Sequence, residues 1–228
     1  MRDKLKDKRY FSSFLVEQKY IIKELIKSIH SPNVKPERVP YMWDSILISS
    51  LDIVIAEYSI GSDKETIIES FKDTVEVFES HFTDNADYGD YDIMIWIVSI
   101  AILCDLEMDY FNRITTVVKK SNVQDKLIDF LIKSKQPDWV AAGTKILQRS
   151  PYANTDWINN ENDIEKYLKV HWYKGHSDAA WYDSHKIVTM YVYPGYWAWE
   201  VGAIAKIKRI NDFKIKNLNY YPYDSVHW

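Results

Sequence analysis

The feature that most constrains the fold is one long apolar run, IMIWIVSIAILC, at residues 93–104. Asp92 precedes it and Asp105 follows it. A helix needs about 20 apolar residues to cross a bilayer, so this run is too short to span a membrane. A helix that is apolar nearly all round must instead be covered by other elements of the protein. The run therefore predicts a central helix inside a larger helical fold.

Helical spacing of apolar residues continues along most of the chain. It predicts an all-α, multi-helix bundle of about nine or ten helices. The first helix should end before SPNVKPERVP, the second should stop at Gly61, and the third should begin with a capping box from Ser62 to Glu65. Further helices are predicted at 93–106, 108–120, 123–134, 138–148, 161–173, 178–191 and 196–209. The weak boundary KKSNVQD divides the prediction into an N-terminal helical domain, 1–120, and a C-terminal helical domain, 121–228, with a docked aromatic tail.

The composition narrows the class of protein. Apolar residues make up 46% of the chain, which is typical of a folded globular protein, and the single cysteine excludes a disulfide framework. The charged start MRDKLKDKRYF does not resemble a secretory signal peptide. We therefore expect a cytoplasmic protein. The sequence contains no phosphate-binding loop, dinucleotide fingerprint or nucleophile elbow, and Cys104 inside the apolar run is a poor candidate nucleophile.

Acidic residues are concentrated between Asp44 and Asp109. This segment carries 16 aspartates and glutamates against two lysines, although the whole chain has a net charge of only −4. Two interpretations stay open: a solvated face, or a surface that attracts a basic protein partner. The second predicts no contact with nucleic acid and no contact with membrane. The candidate partner-binding residues are Glu69, Asp73, Glu76, Asp84, Asp87, Asp90 and Asp92.

Three histidines lie close together in the sequence HWYKGHSDAAWYDSHK: His171, His176 and His185. One hypothesis is a metal-dependent enzyme centred on them. However, the segment lacks the H-E-x-x-H spacing of a helical zinc site, and its interleaved aromatic residues favour a packed, hydrogen-bonded core. The sequence therefore predicts no metal, no cofactor and no catalytic residue.

Glu200 lies inside the apolar run YPGYWAWEVGAIAKI and, on a helix, shares a face with Tyr196 and Trp197. A buried carboxylate needs hydrogen-bond donors. We expect a structural acid that attaches the last long helix to the helix before it, with donors from Tyr182, His185, Tyr196 or the tail. The predicted structural residues of this region are Glu200, Tyr196, Trp197, Trp199, His185, Tyr182 and Asp224.

The same residues carry a family resemblance. YPGYWAWEVGAIAKI followed by YYPYDSV resembles the C-terminal domain of the PoNi-type immunity proteins of bacterial polymorphic-toxin systems. MRDKLKDKRYFSSFL and AEYSIGSDKETI are similar to that family's N-terminal helical domain. The resemblance implies an all-helical, non-enzymatic protein that binds and neutralises a cognate DNase toxin, a basic protein related to the restriction-endonuclease-like nucleases. A helical interaction module unrelated to toxins is the alternative. The resemblance leaves the oligomeric state open.

Overall fold

The structure, a computed structural model, describes residues 1–83, 88–146 and 151–228. These residues form helices and connecting turns, with no β-strand among them. The prediction of an all-α fold is confirmed. The helices are α1 (Lys8–Ile29), α2 (Val39–Ile60), α3 (Lys64–His81), α4 (Tyr88–Leu103), α5 (Met108–Lys120), α6 (Lys126–Lys133), α7 (Glu161–Lys166), α8 (Tyr173–Gly175), α9 (Trp199–Lys208) and α10 (Tyr223–Val226).

The chain divides into two compact units. Unit 1 consists of Met1–Thr83 and Asp183–Gly195, and unit 2 consists of Asp84–Tyr182 and Tyr196–Trp228. Unit 1 is therefore discontinuous in sequence. The domain boundary at 120/121 that the sequence predicts stays a prediction.

In unit 1, α2 packs against both α1 and α3. Phe11 and Phe14 of α1 and Phe71 and Phe78 of α3 have no exposed surface. α2 stops at Gly61, as the sequence predicts, and Gly61 caps it in the left-handed conformation with φ at 98°. The predicted capping box from Ser62 to Glu65 is wrong: Asp63, one residue later, is the N-cap of α3, and its side chain accepts the Thr66 N–H.

By length and composition, residues 36–60 could cross a membrane, and they include all of α2. Half of their most apolar window is nevertheless buried within the protein. Val54 and Ala56 have no exposed surface, and Tyr58 is 1% exposed. The core helix of a folded protein can be equally long and apolar. The packing of α2 between α1 and α3 identifies α2 as such a core helix.

Unit 2 is built around α4, which packs against α5, α6 and α9. Ile95, Ile97, Val98 and Ala101 have no exposed surface, so the apolar run 93–104 is the core helix that the sequence predicts. The helix starts earlier than predicted and ends at Leu103. The chain then turns at Asp105, whose φ of 52° is left-handed and incompatible with continuing the helix.

Two predicted helices are wrong. Of the helix predicted at 138–148, residues 147 and 148 lie outside the described residues, and residues 138–146 are not helical. Their polar backbone groups find partners elsewhere: Asp129 accepts the N–H groups of Ala142 and Gly143, and Lys145 O accepts the Lys126 N–H. Residues 178–191 form turns and one short 3-10 helix, Ser184–Lys186, instead of an α-helix. Asp183, at φ 60°, interrupts any helix there. The remaining helix predictions are confirmed apart from their ends.

One helical segment has an unusual geometry. Glu161–Lys166 continues without a break into a π-helical segment, Tyr167–Trp172, and then into α8. A π-helix brings residues i and i+5 close to the same face, whereas an α-helix separates them by about 140°. The π-helical register therefore directs Tyr167 and Trp172 to the same side of the segment.

Candidate partner-binding surface

The outer face of α3 carries a row of exposed acidic side chains. Glu65, Glu69, Asp73 and Glu76 recur at three- and four-residue intervals and all are exposed. The opposite face buries Ile67, Phe71, Val75 and Phe78. The apolar face attaches α3 to unit 1, and the amphipathic pattern of the sequence then leaves the carboxylates in water. We call the four acids the α3 acidic face.

The other predicted acids divide into three cases. Asp84 and Asp87 lie outside the described residues. Asp90, in the first turn of α4, is partly exposed. Asp92 is 5% exposed, and burial among the residues of unit 2 removes it from any surface available to a partner. The sequence placed Asp92 with its neighbours because it lies in an acidic stretch, but the helical register of α4 turns it inwards.

An aromatic pair at the carboxyl end of α3 was not predicted. The rings of Trp43 and His81 stack with centroids 3.5 Å apart and planes within 7° of parallel. Both side chains are partly exposed. Burial lowers the pKa of His81 below its usual value of 6.5. His81 is consequently neutral at pH 7 and adds no positive charge to the end of the helix that carries the α3 acidic face.

Glu200 lies in the core of unit 2, with no exposed surface. Tyr167 donates its hydroxyl to Glu200 Oε1 at 3.1 Å, while Oε2 has no hydrogen-bond partner within the described part of the chain. Burial is the main cause that raises the pKa of Glu200 from 4.5 to about 8; the nearby Asp92 acts in the same direction, and the hydrogen bond from Tyr167 opposes it. Glu200 is therefore mostly protonated at pH 7, a buried neutral acid on α9 that accepts a hydrogen bond from the π-helical segment.

The predicted partners of Glu200 make other contacts. Tyr182 packs on Tyr173 with ring centroids 4.6 Å apart, and Tyr196 donates its hydroxyl to Trp181 O at 3.3 Å. His185 belongs to unit 1, where its ring lies 6.1 Å from that of Tyr193. The donor from Tyr167 was missed because it lies 33 residues before Glu200, beyond what helical spacing indicates.

The remaining predicted structural residues also differ in burial. Tyr196, Trp197 and Trp199 are between 3% and 8% exposed. Asp224, in contrast, is exposed in the first turn of α10. The tail carboxylate that is buried is Asp212, which accepts hydrogen bonds from the Tyr221 hydroxyl at 2.6 Å and from His227 Nε2 at 2.9 Å.

The histidines do not converge on one point. His176 is fully buried, and both of its ring nitrogens are engaged: Nδ1 lies 2.7 Å from Trp172 O and Nε2 lies 3.1 Å from the Tyr152 hydroxyl. The ring of His171 packs against Trp157, with centroids 6.1 Å apart. Among residues 1–83, 88–146 and 151–228, no three histidine, cysteine or acidic side chains are grouped closely enough to hold a metal ion. His176 is thus a hydrogen-bonded core residue.

Comparisons with known proteins cover both parts of the chain. Residues 2–116 match the family described as PoNe immunity protein (PoNi), N-terminal, and residues 123–225 match PoNe immunity proteins (PoNi), C-terminal. The fold is similar to that of the crystal structure of protein PA2201 from Pseudomonas aeruginosa, with a TM-score of 0.65 and 13% identity over 93% of this chain and 88% of that one. At that identity the likeness shows the fold alone. No curated protein matches the chain.

Proposed function

This chain belongs to the family of PoNe immunity proteins, and we propose that it neutralises a cognate DNase toxin by binding it stoichiometrically. Family membership supports the coarser statement, an immunity role against a polymorphic toxin that the protein binds. The nature of the toxin, a basic nuclease related to the restriction endonucleases, and the surface that meets it are our proposal. The protein would act without turnover, cofactor or metal.

The observation that carries the proposed mode of binding is the α3 acidic face. A DNase needs a positively charged groove to hold the phosphates of its substrate. Glu65, Glu69, Asp73 and Glu76 present charge of the opposite sign from a rigid helix whose other face is fixed in the core. Complementary charge of this kind steers association and raises on-rates by roughly 10- to 1,000-fold. Binding there would also exclude DNA from the groove.

A metal-dependent enzyme centred on the histidines is the second candidate function. The engagement of both His176 ring nitrogens supports binding over metal chemistry, because a ligating imidazole must leave one nitrogen for the ion. Cys104, in the turn that follows α4, is 1% exposed, which does not favour a reactive thiol. These contacts support a protein that works by its surface.

Co-expression with the toxin encoded beside the gene for this protein tests the function. We expect the protein to restore survival of cells that make the active toxin, and to co-purify with it as a stoichiometric complex. Survival without a complex would contradict neutralisation by binding. If the protein encoded by the neighbouring gene is toxic, but co-expression neither restores survival nor yields a complex, the proposed function as a whole is contradicted.

Charge reversal tests the surface. Glu69→Lys, Asp73→Lys and Glu76→Lys together should slow association with an inactive toxin variant by about tenfold or more at low salt, and should flatten its salt dependence. The matched control reverses three exposed acids elsewhere, Glu37, Asp109 and Asp138, for the same change in net charge. Equal on-rates for both triple variants would show that total charge, and not the α3 acidic face, determines association.

A further inference from the structure

Unit 1 exposes a short apolar segment outside its helices. All six residues from 186 to 191 are exposed, and four of them are apolar. Val188 is 86% exposed and Met190 is 57% exposed, while Ile187 and Tyr191 are 38% and 37% exposed. We call these six residues the 186–191 segment. Contiguous exposed apolar side chains on a monomer commonly mark a binding surface.

The 186–191 segment is held firmly at its carboxyl end. Tyr193 donates its hydroxyl to Asp3 Oδ2 at 2.6 Å, and its N–H donates to the Tyr10 hydroxyl at 2.9 Å. Pro194 O accepts the Ser59 hydroxyl at 2.7 Å. Tyr193 has no exposed surface, and Asp3 is 7% exposed. These contacts join the segment to the start of α1 and the end of α2.

The amino end is held as well. The Ile187 N–H donates to Ser184 O at 3.1 Å, and Lys186 Nζ pairs with Asp183 Oδ2 at 2.7 Å. Anchors at both ends mean that Val188 and Met190 are displayed by a supported loop. A supported loop loses little conformational entropy when a partner covers it, and this favours tight binding.

The backbone of the same segment lacks internal partners. Within the described part of the chain, no hydrogen bond reaches the N–H or C=O groups of residues 188–191. These groups are hydrated in the free protein, and a partner that removes the water must replace those bonds. The chain bends at Thr189 and Met190, so the segment presents a tip rather than the straight edge of a strand. It suits a recess more than the edge of a β-sheet.

The segment lies at the end of unit 1 where the α3 acidic face begins. Its anchor Ser59 is in the last turn of α2, and Gly61 and the Asp63 cap lead directly into α3 and Glu65. The carboxyl-terminal anchor of the segment and the first carboxylate of the α3 acidic face are thus both at this end of unit 1. Apolar contacts buried at the centre of an interface determine how slowly a complex dissociates, whereas exposed charges chiefly affect how fast it forms.

We infer that the 186–191 segment is the apolar anchor of the toxin complex, with Val188 and Met190 inserting into a recess on the toxin. This inference rests on the proposed function, because it takes the cognate toxin as the occupant. The recess has apolar walls and offers hydrogen-bond donors and acceptors to the backbone of residues 188–191. The α3 acidic face then sets the association rate, and the segment sets the dissociation rate.

Binding kinetics with the inactive variant of the neighbouring gene's toxin test the inference. Val188→Ser combined with Met190→Ser should raise the dissociation rate at least tenfold while changing the association rate less than twofold. The matched control is Val140→Ser, because Val140 is also 86% exposed but lies in unit 2. The control should dissociate at the parental rate. Both positions are on the surface, so the melting temperature of each variant should equal that of the parent.

The outcomes separate the two proposals. If the parent binds the toxin and the double variant dissociates within twofold of the parental rate, the anchor is wrong while the proposed function stands. If the parent does not bind the toxin at all, the proposed function fails first. If light scattering shows that the free parent is a dimer and that the double variant is a monomer, a second copy covers the segment and the assignment to the toxin is overturned.

Discussion

Replacing Glu200 by glutamine should change how the stability of the protein depends on pH. Glutamine keeps the shape of the side chain and an oxygen that can accept the Tyr167 hydroxyl, but it cannot ionise. Burial raises the pKa of Glu200 from 4.5 to about 8, so between these pH values the folded protein holds a proton that the unfolded chain has released. Raising the pH through this window therefore destabilises the parent, and should not destabilise Glu200→Gln through this group.

The magnitude follows from linkage. A difference of one pKa unit corresponds to about 1.4 kcal/mol, so the free energy of unfolding of the parent should fall by about 1.4 kcal/mol per pH unit relative to Glu200→Gln. Between pH 5.5 and pH 8 the two curves should separate by about 3 kcal/mol, because the slope flattens as Glu200 begins to ionise in the folded protein. Below pH 4.5 the separation should be constant, because Glu200 is then protonated in both states.

Urea unfolding followed by tryptophan fluorescence measures this separation. Eight of the nine tryptophans belong to unit 2, the unit that contains Glu200, so the signal reports its unfolding. Glu76→Gln is the control, because it makes the same chemical change at an exposed position of unit 1. Parallel curves for the parent and Glu200→Gln would refute the reasoning and would mean that Glu200 is ionised and well paired in the folded protein.

Two further predictions concern Asp129 and metal ions. Asp129 accepts hydrogen bonds from the Trp139 indole and from the N–H groups of Ala142 and Gly143. Asp129→Ala should therefore cost about 2–4 kcal/mol of stability and speed the cleavage by trypsin after Lys145, because the backbone there loses its attachment. An unchanged melting temperature and cleavage rate would contradict this prediction. Prolonged dialysis against EDTA should leave the melting temperature and toxin inhibition unchanged, and a loss that added zinc restores would favour the metal-dependent alternative.

Local sequence patterns predicted most of the fold, because the spacing of apolar residues over a few helical turns indicates which side chains are buried. The central helix of unit 2 follows from its uniform apolarity, and the end of α2 follows from Gly61. The predicted helices at 138–148 and 178–191 failed for a tertiary reason. Asp129 provides the first segment with an alternative set of hydrogen bonds, and helical spacing contains no information about such distant partners.

The candidate site was predictable to a smaller extent. The α3 acidic face follows from spacing alone, because the apolar and acidic residues of that helix alternate with its period. The burial of Asp92 does not, since charge density says nothing about the direction in which a side chain points. The hydrogen bond to Glu200 depends on the π-helical register that begins at Tyr167. The exposure of Val188 depends on the contacts of Tyr193 with Tyr10 and Asp3, which are 183 and 190 residues away in the sequence. Neither has a signature in a single sequence.

The discontinuity of unit 1 has a consequence for synthesis in the cell. Asp3 is separated from Tyr193 by 190 residues, so the ribosome has produced most of the polypeptide before this hydrogen bond can form. Contacts between residues so far apart in sequence form slowly. A truncated translation product that stops before residue 183 contains all of α1, α2 and α3 but lacks the loop that they support. Only a chain that has been synthesised as far as Gly195 contains every residue of unit 1.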